Sequence, residues 1–149
     1  MTIREFESTS AMLDAAKEAN LSLWVTHPPS REKDITIAGG VASKPLSIQE
    51  ALAGVDWKSP STRTTGIVVG NEHYGVSEEM VGSADRLVYL PMHGFVESFN
   101  VGIAAAMLLQ ASVNEIRTQE AHGLAPDKKA AVWRDWERII KEPWTADDP

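Results

Sequence analysis

An α/β fold with a mostly parallel sheet is predicted by the order of the apolar segments. Helical and extended patterns alternate along the 149 residues, the strand candidates are short, and Gly, Pro or Ser marks each change. Residues Ser8 to Asn20 read as a helix, with Ser8, Thr9 and Ser10 as caps and Met12, Leu13, Ala15, Ala16 and Ala19 on a small apolar face. Leu21 to Thr26 reads as a strand closed by His27-Pro28-Pro29. Arg31 to Lys44 reads as loop with a short extended piece at Ile35 to Ile37. Ser47 to Ala53 fits a short helix, with Ser47 and Glu50 as a capping box and Gly54 as the stop.

Thr65 to Val69 is a continuous apolar run of the kind buried on both faces of a parallel sheet. Ser77 to Val81 starts a short helix, and Arg86 to Leu90 is the next strand. A long helix is expected from Ser98 to about Gln119, and an amphipathic one from Pro126 to Lys141, with Trp133 and Trp136 on its apolar face. The boundaries predict a main domain over 1–122, then a C-terminal helix and acidic tail over 123–149. For Trp133 and Trp136, and for Trp144 beyond them, packing at an interface is favoured over stacking on RNA beside Arg134 and Arg138.

Composition narrows the function. Apolar residues make up 43%, enough for a packed core. No run is long and apolar enough for a membrane span, and the polar N-terminus lacks a signal-peptide pattern, so a cytoplasmic protein is expected. The absence of cysteine excludes disulfides, thiolate zinc sites and cysteine nucleophiles. The net charge of -7 counts against strong phosphate binding, although Arg31, Lys33, Lys44 and Lys58 can form a modest basic face.

Two segments break local rules. Gly70 to Ser77 (GNEHYGVS) follows a strand directly, where open α/β sheets bind ligands. Gly70 and Gly75 allow sharp turning and close approach, while Asn71 and Glu72 put polar groups at that edge. An ordinary strand-to-helix turn capped by Ser77 explains the same residues. The second segment, Leu90 to Ala106, ends a strand at Pro91, passes through an apolar loop and opens a helix near Ser98 to Asn100. Its small residues Gly102, Ala104, Ala105 and Ala106 suit either tight helix packing or a planar ligand wedged between loops.

Together GNEHYGVS and LPMHGFVESFNVGIAAAMLL resemble the second and third motifs of the SpoU/TrmH family of SPOUT-class RNA 2'-O-ribose methyltransferases. The family pattern is GNE-x-x-G-[IVL]-S, an aspartate (here Asp85), and [IL]-P-M-x-G-x-x-x-S-[LF]-N-V before a small-residue helix. The match is strong from Thr65 to Gln110 and weaker from Phe6 to Thr26.

The resemblance implies a deep C-terminal trefoil knot holding S-adenosyl-L-methionine, a homodimer, and a tRNA or rRNA substrate, with no metal. It implies that backbone groups around Val69, Gly70, Leu90 and Met92 hold the cofactor, with Thr26 and Ala104 lining the pocket. It implies that Asn100 and Ser98 approach the reacting ribose, and that Glu72 and Asn71 brace the knot or orient substrate. The family's first motif, with the arginine thought to activate the ribose hydroxyl, has no counterpart here, so an N-terminally shortened domain is expected. An active RNA methyltransferase and a weak or inactive cofactor- or RNA-binding homodimer or fragment are both consistent with that departure. His73, His93 and Arg63 are weaker candidates for a replacement base or positive group.

Overall fold

A computed structural model describes residues 4–29, 34–59, 61–92, 98–119 and 126–141, with side chains in the last segment at 129–134, 136 and 137. The elements are α1 (Thr9–Glu18), β1 (Leu21–Thr26), β2 (Ile35–Ile37), β3 (Val41–Ser43), β4 (Leu46–Ser47), α2 (Ile48–Ala53), β5 (Thr64–Val68), α3 (Glu78–Gly82), β6 (Arg86–Tyr89), α4 (Val101–Thr118) and α5 (Pro126–Lys141). Four strands form one sheet in the order β4-β6-β1-β5, and every pairing in it is parallel. A separate antiparallel hairpin joins β2 to β3.

Strand alternation divides the core into two halves. Leu23 and Val25 of β1 and Leu87 of β6 face Leu13 and Ala16 of α1 and Met80 and Val81 of α3. Trp24 and Val88 point the other way, against Ile48, Ala51 and Leu52 of α2 and Leu108 of α4. Each buried Leu, Ile, Val or Met among them contributes about 1.5–3 kcal/mol by leaving water. Ser8 caps α1 and Ser77 caps α3 as expected, and Ser47 with Glu50 forms the full capping box.

Three expectations need correction. Among the described residues β5 is an outer strand, paired only with β1, and its residues are half-buried or exposed rather than covered on both faces. Its run of apolar residues therefore overstated its burial. The hairpin partner β3 and the short β4 were not expected: β4 is two residues long, below the length at which an alternation pattern can register. Helix α4 starts at Val101 rather than Ser98, because the Asn100 side chain accepts from the Gly102 amide at 2.9 Å and caps it there.

The amino end of the sheet is fastened by Asp85. Its Oδ2 accepts the Leu23 amide at 2.7 Å, and its own amide donates to the Leu23 carbonyl at 2.9 Å. Its Oδ1 pairs with Arg63 Nη1 at 3.0 Å, and the same guanidinium donates to the Asn20 carbonyl at 3.4 Å and to the Leu21 carbonyl. Arg63 thus ties the start of β5 to β1 and β6, and is neither a free loop arginine nor a group held ready for RNA. Asp85→Ala leaves the partly buried Leu23 amide without its acceptor. The expected loss is about 1–3 kcal/mol of unfolding free energy, read from urea melts with unchanged slope.

The Glu50 carboxyl lies below the usual glutamate range, because the Ser47 hydroxyl and then the Ser47 amide donate to it. A lowered folded value means stability that is present above the ordinary Glu titration range and is lost as pH falls through the lowered value. Glu50→Gln is expected to flatten that acid limb of the stability profile. An unaltered limb in pH-dependent melts would assign the sensitivity elsewhere.

Candidate active site

Parallel pairing sends the carboxyl ends of β1, β5 and β6 to one edge. Val25 is level with Val68, and Thr26 is level with Val88. The ladder runs one step further, since the His27 amide donates to the Val88 carbonyl at 2.9 Å. Thr26 at the end of β1 therefore lies between Val69-Gly70, which leave β5, and Leu90 to Met92, which leave β6. The Val69–Gly75 loop and the Leu90–Met92 segment thus leave the sheet at the same edge, on either side of the central strand.

The side chains at this edge are uncharged and half-buried. Val69 and Leu90 pack against the Trp24–Leu108 half of the core, and Thr26 and Met92 are also half-buried. The amino edge is different in character: there the Arg86 guanidinium lies 4.8 Å from the Trp24 ring centroid and donates to the Ala51 carbonyl at 2.5 Å.

The first turn is a closed loop. The amide of Asn71 donates to the Gly75 carbonyl and the amide of Gly75 to the Asn71 carbonyl, both at 3.1 Å. Asn71 Oδ1 accepts from the amides of His73 at 3.0 Å and Tyr74 at 2.7 Å. Gly75 has φ +67°, the left-handed region that glycine enters without strain. A Cβ on Gly70 would lie 2.2 Å from the Gly75 carbonyl carbon. Gly70 is thus required by the loop's own backbone, and the close approach expected of a ligand is made by Gly75. Asn71 is likewise engaged in holding the loop. Residue spacing carried a usable signal for this, an Asn four positions before a Gly, which was not drawn out from the sequence.

Glu72, His73 and Tyr74 stand exposed on this loop. Ser98 and Asn100 are exposed ahead of α4, and Ala104 is half-buried one turn in, its amide bonded to the Asn100 carbonyl at 2.9 Å. The far end of α4 is fixed near the amino edge, where Gln119 accepts from the Trp57 amide at 3.2 Å and donates to the Val55 carbonyl at 3.0 Å. An 18-residue helix is about 27 Å long, which returns its Asn100 end toward the carboxyl edge. His93, Arg31, Lys33 and Trp144, singled out from the sequence, lie outside the described residues. Lys44 faces Asp34 at 3.7 Å, an exposed pair.

A groove of about 390 Å³ lies elsewhere, between the outer side of β5 and α4, lined by Trp57, Thr64, Ile67, Leu109 and Val113 among others. Its position at the amino edge separates it from the two turns. Among the described residues no group of three His, Asp or Glu is placed to hold a metal, and no helix is long and apolar enough to cross a membrane.

A parallel sheet flanked by helices defines an α/β domain, a class whose open sheets bind ligands beyond the carboxyl ends of the strands. More specifically, the chain belongs to the SpoU rRNA Methylase family, which matches residues 1–110. The tRNA (guanosine(18)-2'-O)-methyltransferase of Aquifex aeolicus is 35% identical over 86 residues, 54% of this chain and 41% of that protein. The enzyme of the same name from Thermus thermophilus is 36% identical over 80 residues, covering 52% of this chain and 41% of the relative. The chain thus spans about two fifths of the length of these curated relatives. Among solved structures, the AdoMet-bound rRNA methyltransferase from Sinorhizobium meliloti superposes with a TM-score of 0.52 at 21% identity, over 72% of this chain and 33% of that one. At that identity the likeness concerns the fold.

Gly70→Ala forces the Asn71–Gly75 bridge apart and is expected to cost about 1–3 kcal/mol. Amide exchange at Asn71, His73, Tyr74 and Gly75 should accelerate while β1 stays protected. Unchanged protection in the loop would show that the turn tolerates a side chain at Gly70.

Proposed function

We propose that the chain carries the cofactor-binding part of an S-adenosyl-L-methionine-dependent RNA ribose 2'-O-methyltransferase acting on tRNA or rRNA. The single observation behind this is the convergence of the Val69–Gly75 and Leu90–Met92 turns on one carboxyl edge beside Thr26. Family membership and the names of the relatives supply the reaction class. The donor set suits the cofactor: a half-buried edge with the apolar side chains of Val69, Leu90 and Met92, the Thr26 hydroxyl, and backbone groups past the strand ends. In this reading those groups and Ala104 hold the adenosine, within the trefoil knot expected of residues 1–122, and the protein works as a homodimer.

When bound, the cofactor supplies an activated methyl group on a sulfonium. Transfer of that methyl to a ribose 2'-oxygen would release the hydroxyl proton, and Thr26, Val69, Leu90 and Met92 would hold the donor in place for it. The edge residues orient the reacting atoms and keep water out, which carries much of the rate. Asn100 and Ser98 position the ribose, and Glu72 orients the substrate strand. Binding without efficient transfer is the second reading. It is favoured by the commitment of Arg63 and Arg86 to the amino edge, away from the carboxyl ends of the strands.

Asn100 also caps α4, so its replacement tests two roles at once. Asn100→Ser keeps a cap, whereas Asn100→Ala is expected to lose about 0.5–2 kcal/mol of stability. Both should reduce radiolabelled methyl transfer to bulk tRNA and rRNA by about 10²-fold or more. Full transfer by Asn100→Ser would limit this residue to capping. Calorimetric titration with S-adenosyl-L-methionine tests the pocket separately, and a lack of binding by the wild-type chain would refute the proposal.

A further inference from the structure

The loop that closes on Asn71 presents one residue the chemistry above does not use. Tyr74 is 89% exposed, the most open of the large apolar side chains described. Its position is fixed all the same. Its amide donates to Asn71 Oδ1 at 2.7 Å, and the Asn71–Gly75 bridge closes the backbone on either side of it. The His73 ring stands beside it, with centroids 6.2 Å apart and planes inclined at 56°. A fixed backbone carrying an open aromatic face loses little conformational entropy when a flat partner covers it.

The charge around the loop narrows that partner. From Gly70 to Ala84 the sequence holds Glu72, Glu78 and Glu79, and no Lys or Arg. Such a segment disfavours phosphate contact, which leaves the uncharged face of a base as the part of an RNA that suits Tyr74. Stacking needs no positive charge and accepts any base. A base splayed out of a single-stranded RNA segment has both faces free for it.

We propose that Tyr74, flanked by His73, is a stacking platform for an unpaired nucleobase of the RNA, next to the nucleotide presented at the carboxyl edge. This rests on the RNA-methyltransferase reading and adds to it a contact outside the cofactor pocket. Because the side chain is exposed, its removal leaves the core untouched.

The test uses the full chain and unfractionated tRNA in a filter-binding titration, with calorimetry against S-adenosyl-L-methionine in parallel. Wild-type binding of both probes supports the underlying reading. Tyr74→Ala should then weaken tRNA binding by about 5- to 150-fold, the range of one lost base stack, while cofactor affinity is unchanged. Tyr74→Phe should restore tRNA affinity to within a few-fold. Equal tRNA binding by wild type and Tyr74→Ala would overturn the platform and leave the methyltransferase reading standing. Loss of cofactor affinity in Tyr74→Ala would also overturn it, since it would make the residue part of the pocket. Failure of the wild-type chain to bind either probe would remove the reading itself and the platform with it.

Discussion

The parallel alignment of β1 with β5 and β6 is the constraint on which the rest of the structure depends. A displacement of one residue in either pairing would turn Trp24, Val25, Leu87 and Val88 toward the wrong core half. It would also take Thr26 out of line with the two turns. Asp85 secures this alignment through both the amide and the carbonyl of Leu23, and Arg63 extends the hold to β5. The aspartate that forms part of the family pattern therefore acts at the opposite end of the sheet from the turns. Its importance to the site is transmitted through strand register, not through contact.

Much of this architecture was legible in the sequence. Leu21–Thr26 and Pro126–Lys141 agree residue for residue, and the Ser47–Glu50 box was readable from spacing alone. These features depend on local rules, namely capping chemistry, proline stops and helical periodicity. What escaped were properties set by distant neighbours. The outer position of β5 depends on which strands pair, and an apolar run looks the same in the middle of a sheet and at its border. β4 exists only because β6 is there to pair with it.

The candidate site was readable by residue and less so by role. Thr26, Val69, Gly70, Leu90 and Met92 do gather at one edge. Gly70 and Asn71, however, serve first to close their own turn, and Asn100 serves to begin α4. A motif records which residues a place needs without dividing that need between backbone geometry and chemistry. Here the short polar side chains do structural duty through a single oxygen atom each, at Asn71 Oδ1 and Asn100 Oδ1.

The border formed by β5 has a consequence of its own. Thr64 to Val68 carry no charge and no proline, the usual deterrents to unwanted pairing. Beside them the indole nitrogen of Trp57 is buried with no acceptor among the described residues. Among the described residues the β5 border is thus the longer of the sheet's two open margins, the other being the two-residue β4.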